Sequence, residues 1–121
     1  MELERIDADL SVCKIKKVTD VNFSDEYWFL SKTDEELSLV CQTKNVPSAY
    51  EEREDGWKAF RIQGILDFSL VGILAEISSI LANDRIGIFA ISTYNTDYIL
   101  VKEVNFERAL DVLKYEGYHI K

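Results

Sequence analysis

The chain has 121 residues, 47% of them apolar and 30% charged, and a formal net charge of −8 from 22 acids against 14 bases. That length holds one domain or two very small ones. The acid excess argues against binding a phosphate backbone, which needs a basic surface. No apolar run reaches the length of a membrane span, and the acidic start Met1-Glu2-Leu3-Glu4-Arg5 lacks a signal peptide's basic opening and apolar stretch. The expectation is a cytoplasmic protein with no membrane association.

The first half reads as strand-rich. Residues 10–15 alternate with period two, and residues 26–31 and 36–41 form two more strand patterns joined by Lys32-Thr33-Asp34-Glu35. Residues 18–24 suit a short helical turn, and Asn45-Val46-Pro47 stops the third strand. Cys13 and Cys41, the two cysteines of the chain, sit in apolar runs without CxxC spacing. They read as buried reduced thiols, with no metal site. The charged run Glu51-Glu52-Arg53-Glu54-Asp55-Gly56 reads as a solvated connector between the halves.

The second half is more regular. Residues 57–62 alternate as a strand that ends at Gly64. Leu70, Ile73, Leu74, Ile77, Ile80 and Leu81 then share one helical face, with Ser69 as N-cap and Asn83-Asp84 as the stop. Residues 86–91 are apolar on both alternating faces, which predicts a strand covered on both sides. Tyr94-Asn95-Thr96 is a turn, and residues 98–101 are the return strand. Asn105 caps a second helix that buries Phe106, Ala109, Leu110 and Leu113. Gly117 follows at its C-terminal side, and residues 118–120 make a short last strand.

The order βαββαβ predicts an α+β, ferredoxin-like unit, with two helices on one face of an antiparallel sheet. Two units are expected, a strand-rich one over 1–55 and the regular one over 56–121. The first is compatible with a degenerate copy of the second, although no internal sequence repeat is visible. The strand–helix connector over 64–69 and the turn over 93–97 fall at one end of that sheet by topology. A helix N-terminus there favours an anion such as a carboxylate, and Asp67 or Asp97 suits an ammonium group. Each also has a structural role open to it, as helix-start acid, cap or turn former.

Catalysis finds no support. The single histidine, His119, lies near the C-terminus, and no nucleophile is visibly paired with a base and an orienting acid. There is no phosphate-loop lysine, no dinucleotide fingerprint and no metal-ligand cluster, so no cofactor is expected. An RNA-recognition platform on the same topology would use Phe60, Phe89 and Tyr98, but the charge and the missing basic-aromatic motif oppose it.

Three segments carry a family resemblance: Trp57-Lys-Ala-Phe-Arg-Ile-Gln-Gly64, Leu66-Asp-Phe-Ser-Leu-Val-Gly-Ile-Leu74 and Ile88-Phe-Ala-Ile-Ser-Thr-Tyr-Asn-Thr-Asp-Tyr-Ile-Leu-Val-Lys102. Together they resemble the small bacterial tandem ACT-domain proteins. These are similar to the ACT modules of animal cytosolic arginine sensors and, more distantly, of aspartate kinase. Residues 92–98 are the most specific part. Residues 10–15 and 31–41 look like the family's reduced N-terminal unit.

The resemblance implies a non-catalytic regulatory protein with two ACT-like units, paired into a homodimer. It also implies an amino acid or similar small ligand held at the seam between units. The implied ligand-binding residues are Asp67, Phe68, Ser69 and Leu70 on the connector, Gly87 and Ile88 before the next strand, and Thr93, Tyr94, Asn95, Thr96 and Asp97 on the turn. Leu70 stands where an arginine sensor carries an acid that pairs with the ligand's side chain, a departure from that pattern. The alternative reading is a protein–protein pairing module without a ligand.

Overall fold

A computed structural model describes residues 1–63 and 72–121. Its strands are β1 (Glu2–Ile15), β2 (Trp28–Lys32), β3 (Leu37–Gln42), β4 (Tyr50–Ile62), β5 (Phe89–Ser92), β6 (Asp97–Lys102) and β7 (His119–Ile120). Its helices are α1 (Ile73–Asn83) and α2 (Glu103–Tyr115). By packing, the chain divides into a larger unit, Met1–Asp7 with Lys58–Lys121, and a smaller one, Ala8–Trp57. The unit boundary falls within both β1 and β4.

The larger unit has the strand order β7-β1-β4-β6-β5, flanked by α1 and α2. Its core is the apolar face that the helical and strand periods predict. Ile77 and Leu81 of α1 and Phe106, Ala109, Leu110 and Leu113 of α2 are buried together with Leu3, Phe60, Ile62, Ile99 and Val101 of the strands. Phe60 and Ile62 lie two apart on β4, as do Ile99 and Val101 on β6, so both helices cover the same sheet face. Phe60 is wholly buried there, which removes it from any base-stacking platform.

In a plain βαββαβ unit the last strand pairs with the first. Here the start of β1 intervenes: β7 runs parallel to β1, with Glu2 opposite His119 and Leu3 opposite Ile120. Gln63 N–H donates to the Glu2 carbonyl (3.0 Å), which ties the same start of β1 to the end of β4. That insertion is why residues 1–7 belong with the second half of the chain.

The smaller unit has the order β2-β3-β1-β4, with short 3-10 turns at Val18–Asp20 and Thr43–Asn45 where the larger unit has helices. Its core gathers Cys13, Ile15, Val21, Leu39 and Cys41. The hairpins of the two units share their chemistry. Thr33 N–H donates to the Glu36 carbonyl (2.9 Å) and Thr93 N–H to the Thr96 carbonyl (2.8 Å). In each turn the threonine hydroxyl also accepts from a following N–H, that of Glu36 (3.2 Å) or Thr96 (3.3 Å). The return strands β3 and β6 have the same length and, position by position, the same burial.

Both helices stop in the same way. Tyr118 N–H reaches the Leu113 carbonyl (3.0 Å) and Gly117 N–H the Lys114 carbonyl (3.0 Å), with Gly117 at φ 102°. At α1, Ile86 N–H reaches the Leu81 carbonyl (2.9 Å) and Arg85 N–H the Ala82 carbonyl (2.9 Å), but the left-handed residue is Arg85, at φ 59°. This double bond pattern satisfies carbonyls the helix end would leave open, and the following residue folds back onto the core.

Several elements differ from the sequence reading. Residues 51–56 are part of β4 and not a connector; 51–55 are exposed, yet Asp55 and Arg53 are held by side-chain bonds within the strand and to β1. Asn105 lies inside α2, whose N-cap position is Lys102; the Asn105 side chain instead accepts from Arg108 (3.2 Å). The strand expected over 86–91 is β5, Phe89–Ser92, at the edge of the larger unit's sheet with Ala90 exposed, so this chain does not cover both of its faces. Gly72 occupies the N-cap position of α1. Ser69, expected there, lies outside the described residues.

Candidate ligand site

The larger unit's chain path decides which segments share an end. β4 finishes at Ile62, α1 returns, and β5 leads to the 93–97 turn at the end where β4 finished. One hydrogen bond fixes this: Thr96 is buried, and its hydroxyl donates to the Ile62 carbonyl at 2.7 Å. Thr93 closes the turn through its own hydroxyl, which donates to the Thr96 carbonyl (2.9 Å). Both hydroxyls are therefore committed to shaping the turn. Tyr94 and Asn95 project outward, Tyr94 with 81% of its surface exposed, and Asp97 is half-buried at the start of β6.

Gly87 and Ile88 stand elsewhere. They precede β5, so Thr93 is five strand positions away, about 16 Å at the usual rise. Gly87 is exposed with open space where a Cβ would stand, and Ile88 packs against the larger unit's core. Asp67, Phe68, Ser69 and Leu70 lie outside the described residues.

The same end of the unit holds features the sequence reading missed. Met1, Ile73, Glu76, Glu116, Gly117 and Tyr118 line a cavity of about 220 Å³ between the start of α1 and the end of α2. It is smaller than the roughly 300–1,000 Å³ of drug-sized sites, so it suits a molecule of few heavy atoms. Tyr118 is buried and donates from its hydroxyl to a Glu76 carboxylate oxygen at 2.6 Å. Burial first, and the adjoining Glu76 carboxylate second, push the Tyr118 phenol well above its usual range. It therefore stays a neutral donor at any physiological pH.

Gly72, at the N-cap position of α1, brings no side-chain cap, and among the described residues no side-chain hydrogen bond to that position is formed. Helix starts leave N–H groups without intrahelical partners, and these favour negative charge. Just past the end of β4, Gln63 Oε1 is buried without a hydrogen-bond partner among the described residues. A signal for this cavity did exist in the sequence: Gly117 at a helix end turns Tyr118 inward, and Glu76 sits in the first turn of α1. Neither position belonged to a recognisable motif.

Away from that rim, the larger unit's other sheet face carries one polar constellation. Arg61 Nε donates to Glu4 (2.8 Å), its Nη1 donates to the Tyr98 hydroxyl (2.9 Å), and its guanidinium lies 5.7 Å from the centre of the Tyr98 ring. These groups satisfy one another across β1, β4 and β6. Among the described residues no three metal-binding side chains cluster. No helix among them is long and apolar enough to cross a membrane.

A family model described as "ACT domain" matches residues 52–114, just over half of the chain. No curated protein matches in sequence. Among solved structures, the protein Atu0741 from Agrobacterium tumefaciens is 26% identical, with a TM-score of 0.86 over 99% of this chain and 91% of its own. VC0802 from Vibrio cholerae, described as of unknown function and a possible transport protein, is 21% identical, with a TM-score of 0.72 over 92% of this chain and 85% of its own. Aspartokinase III from E. coli, solved with aspartate and ADP, is 13% identical, with a TM-score of 0.64 over 95% of this chain and 32% of its own. The last two likenesses concern the fold.

Proposed function

Since the chain belongs to the ACT-domain family, whose members are regulatory, we propose that it is a non-catalytic regulatory module that binds a free amino acid or a similar small zwitterion. The observation that carries this reading is the bond from Thr96 to the end of β4, which brings the hairpin turn to the place where the chain leaves for α1. A zwitterion needs an acceptor for its ammonium and a donor for its carboxylate. Asp97 and the carbonyl oxygen of the Gln63 side chain are acceptors near that end, and the N–H groups at the start of α1 are donors. Asp67, Phe68, Ser69 and Leu70 complete the proposed site from the connector, with Thr93, Tyr94 and Asn95 on the turn. Gly87 and Ile88, at the far end of β5, are left out of it.

The smaller unit is, in this proposal, a reduced ACT-like copy. Its support is the shared threonine turn and the matching burial of β3 and β6. The protein acts in the cytoplasm, binds neither nucleic acid nor membrane, and pairs into a homodimer.

Thermal unfolding with each common amino acid tests the ligand. A selective ligand at about one hundred times its Kd adds roughly 2.7 kcal/mol to native stability. At least one amino acid is expected to raise Tm with concentration, and Asp97→Ala to abolish the shift. Flat curves across the set contradict the proposal.

One observation favours a second reading, a pairing module without a ligand. β5 is an edge strand, and its exposed Ala90 alternates with half-buried Phe89 and Ile91. Unpaired strand edges are templates for another chain. Sedimentation decides: a dimer with flat melting curves supports pairing alone, and a monomer at high concentration opposes it.

A further inference from the structure

The smaller unit places two thiols side by side. In the β1–β3 ladder Ser11 stands opposite Cys41 and Cys13 opposite Leu39, so Cys13 and Cys41 are diagonal neighbours on one sheet face. Both are free and buried, within the same apolar cluster as Ile15, Val21 and Leu39. The thiols interact with each other, and Arg53 of β4 acts electrostatically on both. Burial opposes ionisation of both thiols, as do Asp55 at Cys13 and Asp25 at Cys41, while the Arg53 guanidinium favours it at both. Whichever sulfur ionises first has the other, still protonated, beside it.

We propose that Cys13 and Cys41 form a reversible redox pair that hydrogen peroxide closes into a disulfide. The thiolate of one cysteine attacks one peroxide oxygen, the O–O bond breaks, and hydroxide leaves, giving a sulfenic acid. The other sulfur then attacks the sulfenic sulfur. An S–S bond forms, the S–O bond breaks, and the second thiol's proton leaves with the oxygen as water. In sum, two thiols and one peroxide give one disulfide and two waters, with two electrons passing from sulfur to oxygen.

The spacing explains why such a bond reverses. Diagonal strand neighbours stand about 7–8 Å apart, while disulfides usually span Cα distances of about 4.4–6.8 Å. Paired strands are already about 4.8 Å apart, so closure shortens the diagonal by roughly 1 Å through a local shift of β1 along β3, and a bridge strained in this way is more readily reduced.

The test is intact mass and thiol counting on the full chain after hydrogen peroxide, with alkylation under denaturing conditions. The expected product is a monomer lighter by two hydrogens, with no alkylatable thiol, restored by dithiothreitol. In either single variant, Cys41→Ser or Cys13→Ser, a sulfenic acid on the remaining cysteine is expected, trapped by dimedone. Should either variant fail to fold, the wild-type mass and thiol count stand alone. Two thiols that remain alkylatable, oxygen added independently at each cysteine, or a bridge formed only between chains would each overturn the proposal.

Discussion

Asp25 shows how a buried acid is held in place. It is 8% exposed, and its carboxylate accepts from the Tyr27 N–H (3.0 Å), the Gln42 N–H (3.1 Å) and the Gln42 side chain (2.7 Å). Burial alone would raise its pKa, but these donors and Asn45 outweigh it and hold the carboxyl below its ordinary 3.8. The folded value is therefore lower than the unfolded one. Asp25 contributes its full stabilisation above about pH 4 and loses it as pH falls through the folded value. Urea unfolding between about pH 6 and 2.5 checks this: the wild type should lose stability more steeply on the acid side than Asp25→Asn, which has no such proton to gain. Equal acid slopes would refute the assignment. The sequence offered no warning of Asp25, because its partners on β3 are recruited by folding and not by local spacing. The outward turn residues Tyr94 and Asn95 were legible, since short polar groups between two apolar runs predict a turn.

At the scale of elements, the helix ends make the sharper contrast. Gly117 reaches the left-handed region freely, while Arg85 does so with a Cβ against its own carbonyl. Arg85→Gly should therefore stabilise the protein by roughly 1 kcal/mol, less the extra freedom glycine gives the unfolded chain. Chemical denaturation reads this directly, and a loss of stability would show that the exposed Arg85 side chain matters more than its backbone. Sequence patterning found both helices and most strands, because 3.6 and 2.0 periods in apolar residues survive without tertiary context. It missed the opening of β1 and the exposed half of β4 for one reason. Glu2, Glu4, Asp7 and Asp9 and the residues of 51–56 carry charge where a strand signal looks for apolar side chains. Neighbouring strands supply the hydrogen bonds there, so propensity is overridden. Asn105 was misplaced because an asparagine before an apolar stripe reads as a cap, whereas α2 begins directly from β6 at Lys102.

At the scale of the whole molecule, the fold family was legible from segments spread over the second half, and the family match over residues 52–114 agrees with it. The site was only half legible. Topology put the 93–97 turn beside the end of β4, but the cavity beneath α1 and α2 arises from helix ends brought together by packing, which no local pattern encodes. In the proposed function, a small zwitterion meets that end of the larger unit. Amide chemical shifts of the 15N-labelled protein, titrated with the amino acid that raises Tm most, test it residue by residue. Saturable shifts centred on Thr93, Tyr94, Asn95, Thr96 and Asp97, with Gln63 and Ile73, are predicted. Shifts confined to the smaller unit, or none at saturating ligand, would contradict it.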